Sequence, residues 1–182
     1  MLSTGEVRGV LVANGVRASV DGLLRYLTGF HDSNRTAQAQ NLPNHVAWHL
    51  GHCALYMHVA RRALDETPVP EQDFSKELPR QQDLFCTEDI CFGSVPVDDP
   101  DRFPVLDRCV AVFRASGDSL AMGFEQASRD LLDRTTSWGS VKSLTFAELG
   151  LRMAFHNGTH TGQIIDLRRA LGFDKVIVPK SS

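Results

Sequence analysis

The chain has 182 residues, 42% of them hydrophobic and 23% charged, with a formal net charge of −3. This length suits a single domain over residues 1–182 whose core needs no disulfide or metal staple, and the composition excludes wholesale disorder. The acidic balance gives a phosphate backbone nothing to bind, so nucleic acid is excluded as a partner, and no run reaches the ~18 apolar residues of a membrane span.

The first predicted helix covers 5–29, where Val7, Val10, Leu11, Val20, Leu23, Leu24 and Leu27 recur at helical spacing. Gly15 and Gly22 weaken it, and Asp32-Ser33-Asn34 reads as loop. The second helix is expected over 43–66, with Pro43 in the first turn and an end before Pro68. Residues 67–103 differ in character: Pro68, Pro70, Pro79, Pro96 and Pro100 and many charges mark a long connection, with one helical turn expected near 76–84. Within it, Cys91-Phe92-Gly93-Ser94 is a candidate pocket wall. The third helix is expected over 104–134, on a stripe that includes Leu106, Val110, Phe113, Leu120, Phe124, Ala127 and Leu131. Thr135–Ser143 reads as a turn or short loop containing Trp138. Thr145 with Glu148 forms a capping box that opens the fourth helix, 145–171, and Gly172 closes it. The tail to Ser182 reads as a short extended segment. Four amphipathic segments with one long crossover predict an all-α four-helix bundle.

The histidines carry the chemistry. His45, His49 and His52 are spaced four and three apart, within ~60° on one helical face. His156 and His160 are four apart, so both imidazoles leave one face of the fourth helix. A pair at this spacing, completed by a histidine from a facing helix, gives three neutral nitrogen ligands to one divalent transition metal, with Zn, Ni and Fe all suited. Spacing does not choose among His45, His49 and His52. The bland alternative for all of them is a set of hydrogen-bonded core histidines. His156-Asn157-Gly158-Thr159-His160 lacks the glutamate of H-E-x-x-H, so the zinc peptidase mechanism has no general base. The E-x-x-H pairs of di-iron bundles are absent as well.

Around this set, Gln163, Asn157 and Arg152 are candidate pocket residues, with helix packing as the default for Gln163. Trp48 reads as core. Trp138 reads as packed on a helix end or closing a pocket mouth. Glu125 is either a fourth ligand or, more simply, a solvated glutamate. His49 reads as an outer partner to a ligand or as a partly exposed residue, and His31 and His58 are assigned to the surface. Cys53, Cys86, Cys91 and Cys109 form no C-x-x-C pair and are expected to be reduced thiols. The N-terminus lacks the order of a signal peptide, so the expected location is cytoplasmic.

Asn44-His45-Val46-Ala47-Trp48-His49-Leu50-Gly51-His52 resembles the second-helix signature of the DinB superfamily. His156 through Gly172, with His160-Thr161-Gly162-Gln163-Ile164, resembles its fourth-helix signature. The resemblance implies an up-up-down-down four-helix bundle with a long crossover between helices two and three. It implies metal ligands at His52, His156 and His160, and a homodimer. Because some members use bacillithiol or mycothiol, it also implies a thiol S-transferase using a low-molecular-weight thiol on an electrophilic small molecule. The alternative is a metal-containing small-molecule binding or stress-related module without turnover.

Overall fold

The computed structural model describes residues 4–76 and 83–177. Within them lie six α-helices: α1 Thr4–Arg25, α2 Val46–Asp65, α3 Thr87–Ile90, α4 Leu106–Gln126, α5 Arg129–Asp133 and α6 Phe146–Ala170. Four short strands accompany them: β1 Phe74–Ser75, β2 Phe85–Cys86, β3 Thr135–Trp138 and β4 Val141–Thr145. The fold is mostly helical, as the periodicity predicts. α1 and α2 each pack against both α4 and α6. The long helices share a core that includes the fully buried Leu23, Leu50, Phe113, Phe124, Leu149 and Ile164. No helix among the described residues is long and apolar enough to cross a membrane.

Two glycines set how closely the helices approach. A Cβ at Gly9 would run into the Phe124 carbonyl of α4, and one at Gly150 would meet Val12 of α1 and the Phe124 ring. Glycine in a helix interior costs roughly 1 kcal/mol relative to alanine. Here the close approach of α1, α4 and α6 requires it.

The helix ends differ from expectation for local reasons. α1 stops at Arg25, after which Tyr26 and Leu27 bond three residues back and Gly29 turns at φ 90°. Its inward face is Val12, Ala13, Val16, Val20 and Leu23, while Val7 and Leu11 are exposed. α2 begins at Val46 because His45 is extended and acts as N-cap, its Nδ1 accepting from Trp48 N–H at 3.1 Å. Pro43 therefore lies outside the helix, and His45 does not share a helical face with His49 and His52. The predicted third helix is two: Ala127 is extended, and Ser128 caps α5 by accepting from Leu131 N–H. The Thr145–Glu148 capping box forms, and Gly172 adopts φ 75° after the Leu171 C-cap.

The connection after α2 holds the parallel pair β1–β2, then α3, then a 3₁₀ turn at Pro100–Arg102. Part of the helical turn expected near 76–84 lies outside the described residues; the turn that is described is Thr87–Ile90. Arg108 of α4 anchors this connection by donating to Asp73 Oδ1 at 2.6 Å and to the Gln72 carbonyl at 2.8 Å. Between α5 and α6, the expected loop is an antiparallel hairpin, with Thr135 paired to Thr145, Thr136 to Leu144 and Trp138 to Val141. Of the tail, 173–177 carry no helix or strand, and the remainder is outside the described residues.

Candidate metal centre

α2 and α6 pack together, and their contact brings three imidazoles into one cluster. His52 Nε2 lies 3.2 Å from His156 Nε2, and His160 Nε2 lies 3.1 Å from His156 Nε2. Each of the three rings offers one nitrogen within 4.8 Å of the other two. At Zn–N distances of roughly 2.0–2.1 Å, ligand nitrogens stand roughly 3.3–3.4 Å apart at tetrahedral angles and roughly 2.9 Å apart at right angles. The observed spacings fall between these values.

The protonation pattern fits a cation as well. His52 Nδ1 is 2.7 Å from the Ile90 carbonyl, which only accepts. His52 therefore carries its proton on Nδ1 and turns the Nε2 lone pair toward the cluster. This is the outer contact that commonly orients a ligating histidine. His160 Nδ1 lies 3.0 Å from His49 Nδ1. With His160 donating, its Nε2 lone pair also faces inward, and His49 holds its proton on Nε2. His156 Nδ1 is buried without a partner. With the His156 proton on Nδ1, three Nε2 lone pairs converge, an arrangement that is costly unless a cation sits among them.

Burial keeps these rings neutral, the form that ligates. Burial, then the neighbouring His52 and Arg152, lowers His156 to about 4. Burial, then His156 and His52, lowers His160 to about 3. Burial alone drives the lowering of His52, and burial, then His160, holds His49 well below the ordinary imidazole range.

The connection between α2 and α4 walls the cluster in register with α2. Ile90 accepts from His52, Tyr56 Oη accepts from Phe92 N–H at 3.1 Å, and Trp48 Nε1 donates to Ser94 Oγ at 2.9 Å. Trp48 also lies nearly parallel to His52, with ring centroids 4.4 Å apart. It is thus both core, as expected, and a support for one candidate ligand. Beside the cluster opens a cavity of about 760 Å³, lined by His52 and His156 together with Tyr56, Phe92, Trp138 and Arg152. Trp138 closes one side from the hairpin, and Phe92 makes the Cys91–Ser94 segment a wall, as read from the sequence.

The other candidates separate. Arg152 lines the cavity. Gln163 faces His160 and lines a separate cleft of about 150 Å³ with Asn44 and His49. Asn157 does not reach the cavity: it is buried, and its Nδ2 donates to Ser19 Oγ at 3.0 Å on the α1 side. Glu125 is exposed and paired through both oxygens with Arg17, at 2.5 and 3.0 Å, so it is a surface carboxylate and not a ligand of this cluster. His31 is exposed as expected, but His58 is buried against Phe74, a correction to its surface assignment. His49 is buried rather than partly exposed. Cys53, Cys86 and Cys109 are buried, Cys91 is half-buried, and all four are free thiols. Burial pushes the Cys53 and Cys109 thiols up, so neither is an activated nucleophile. Tyr56 and Arg62 were missed in the sequence. The signal for Tyr56 was its spacing of four from His52, one turn along the same face.

The sequence profile of the DinB superfamily matches residues 16–164. A crystal structure of a conserved protein from Enterococcus faecalis shares the fold, with a TM-score of 0.67 at 17% identity, covering 89% of this chain and 96% of that one. No curated protein matches the chain.

Proposed function

The chain belongs to the DinB superfamily, and on that premise we propose that it is a metal-dependent enzyme which joins a low-molecular-weight thiol to an electrophilic small molecule. The observation that carries this reading is the three-histidine cluster opening onto a cavity of substrate size. His52, His156 and His160 would hold one divalent ion, Zn, Ni or Fe. When bound, such an ion lowers the pKa of a thiol from about 8.5 toward neutrality and polarises an electrophile. The chain's own residues do the rest. Ile90 and His49 fix the ring orientations of His52 and His160. Trp48 supports the His52 ring, while Tyr56, Phe92 and Trp138 give the cavity an aromatic lining.

The test is a screen of metal-loaded protein with thiols and electrophiles, following loss of the electrophile. Consumption that needs both thiol and metal, and that fails in His156→Ala, supports the reading. Consumption at the uncatalysed rate with every pair tested removes it.

A second reading, a metal-containing binding module without turnover, is favoured by one observation. No aspartate or glutamate lines the cavity among the described residues, so no carboxylate base stands ready. A compound bound at the metal and recovered unchanged would select it.

The same proposal includes the up-up-down-down helix order, supported by the long connection between α2 and α4, and a homodimer in the cytoplasm. The exposed Leu11 of α1 and Leu151 and Phe155 of α6, two helices that pack together, support the dimer. Sedimentation at two protein concentrations tests it.

A further inference from the structure

We infer that the cavity beside the histidine cluster takes a carboxylate with a flat apolar body, the carboxylate held by Arg152 and Arg62 and the body lying along Tyr56 and Trp138. The inference rests on the reading that this cavity is the substrate site.

Its first support is charge. The formal net charge of the chain is −3, yet the described residues around this cavity include two arginines and no carboxylate. A divalent ion on three neutral imidazoles would add two further positive charges. A concave site of one sign, with low-dielectric walls, concentrates ligands of the opposite sign.

The second support is that both guanidinium groups are free. Arg8, Arg17, Arg61, Arg102 and Arg108 each face a carboxylate. Arg62 and Arg152 make no ion pair and no side-chain hydrogen bond among the described residues, although both border the cavity. Arg152 stands one helical turn before His156 on the same face of α6, and its charge acts on that imidazole. Arg62 comes from α2. A planar carboxylate matches the two-pronged donor face of a guanidinium, and the apolar aromatic walls beside these two arginines suit an anion that carries an apolar body rather than a bare inorganic one.

The third support is shape. Tyr56 and Trp138 meet edge to face, with centroids 6.2 Å apart, and Phe92 stands 87% exposed at the cavity's edge. Large aromatic faces beside a few polar groups suit an apolar ring or chain.

The carboxylate has two possible carriers, the electrophile or the thiol, and the test separates them. Zinc-loaded protein is titrated calorimetrically with phenylacetate and phenylacetamide, and then with 3-mercaptopropionate and 2-mercaptoethanol. Inorganic phosphate serves as the comparison anion. Parent, Arg152→Gln and Arg62→Gln are compared, with zinc content measured in each. Both arginines are exposed, so the variants should keep the parent's fold and zinc. We expect the acid of at least one pair to bind about tenfold tighter than its neutral partner, with Arg152→Gln removing most of that preference. Preference in the first pair places the carboxylate on the electrophile, and preference in the second places it on the thiol. No preference in either pair, a preference untouched by both variants, or tighter binding of phosphate than of either acid overturns the inference. Arginine-dependent acid binding without thiol-dependent turnover would instead remove the proposed activity and leave the inference standing.

Discussion

His49 Nδ1 and His160 Nδ1 lie 3.0 Å apart, both rings buried, so one imidazole fixes the proton position of the other. His160 Nε2 can face a cation as a lone pair only if its Nδ1–H is given to His49. This makes His49 a positioning residue for any ion the cluster holds, one hydrogen bond removed from it. Removing such an outer contact typically costs 10–100-fold in metal affinity.

His49→Ala should therefore bind zinc about 10–100-fold more weakly than the parent while keeping the helical content. Competition with a chromophoric chelator measures this, and circular dichroism checks the fold. His49→Gln retains a side-chain acceptor and should recover part of the loss. Equal affinity in all three proteins would show that the contact does not orient His160.

His45 gives the protein an acid sensitivity separate from the three-histidine cluster. It is fully buried, and burial lowers it to about 4 from an ordinary value of 6.5. The unfolded chain takes up this proton as pH falls through 6.5, while the folded chain resists until about 4. The stabilisation is thus complete above pH 6.5 and is lost on going down to pH 4. The loss is on the order of 3 kcal/mol for this group. Protonation also removes the acceptor that caps α2 at Trp48 N–H. In His45→Asn, which keeps a capping oxygen, urea denaturation of metal-free protein should show a shallower loss of stability between pH 6.5 and 4. An unchanged slope would place the acid sensitivity elsewhere.

Gly150 lies where α6 touches α1 and α4, and a methyl group there would press on Val12 and the Phe124 ring. Gly150→Ala should lower stability by about 1–3 kcal/mol, despite alanine's better helix propensity. Gly158, on the same helix with nothing within 4 Å, provides the control, and its alanine variant should be neutral or stabilising. Thermal melts of the two variants decide the point, and similar melts would contradict the packing argument.

How much of this was legible in the sequence depended on the range of the interaction. The long helices announce themselves by periodicity, and the Thr145–Glu148 cap and Gly172 stop are local rules that the structure follows. The break at Ala127 was hidden because Leu131 and Leu132 continue the apolar pattern, while the Ser128 cap needs only one hydroxyl. The β3–β4 hairpin was hidden because four- and five-residue strands are too short for alternation to stand out. The pairing of His156 with His160 followed from spacing alone. The choice of His52 over His45 and His49 needed the family resemblance. In the structure it reflects position: His45 caps the helix, His49 stands behind His160, and His52 meets His156. The burial of His58 and the turning of Asn157 toward Ser19 depend on which face of each helix packs inward, something periodicity gives only to within a residue or two.

The most direct test of the account is metal content by elemental analysis of tag-free protein reconstituted with zinc, beside His52→Ala, His156→Ala and Glu125→Ala. Close to one equivalent is expected in the parent and in Glu125→Ala, and a loss of most of it in each histidine variant. A parent that retains no metal, or histidine variants that hold as much as the parent, would contradict it and leave the cluster as a set of hydrogen-bonded core imidazoles.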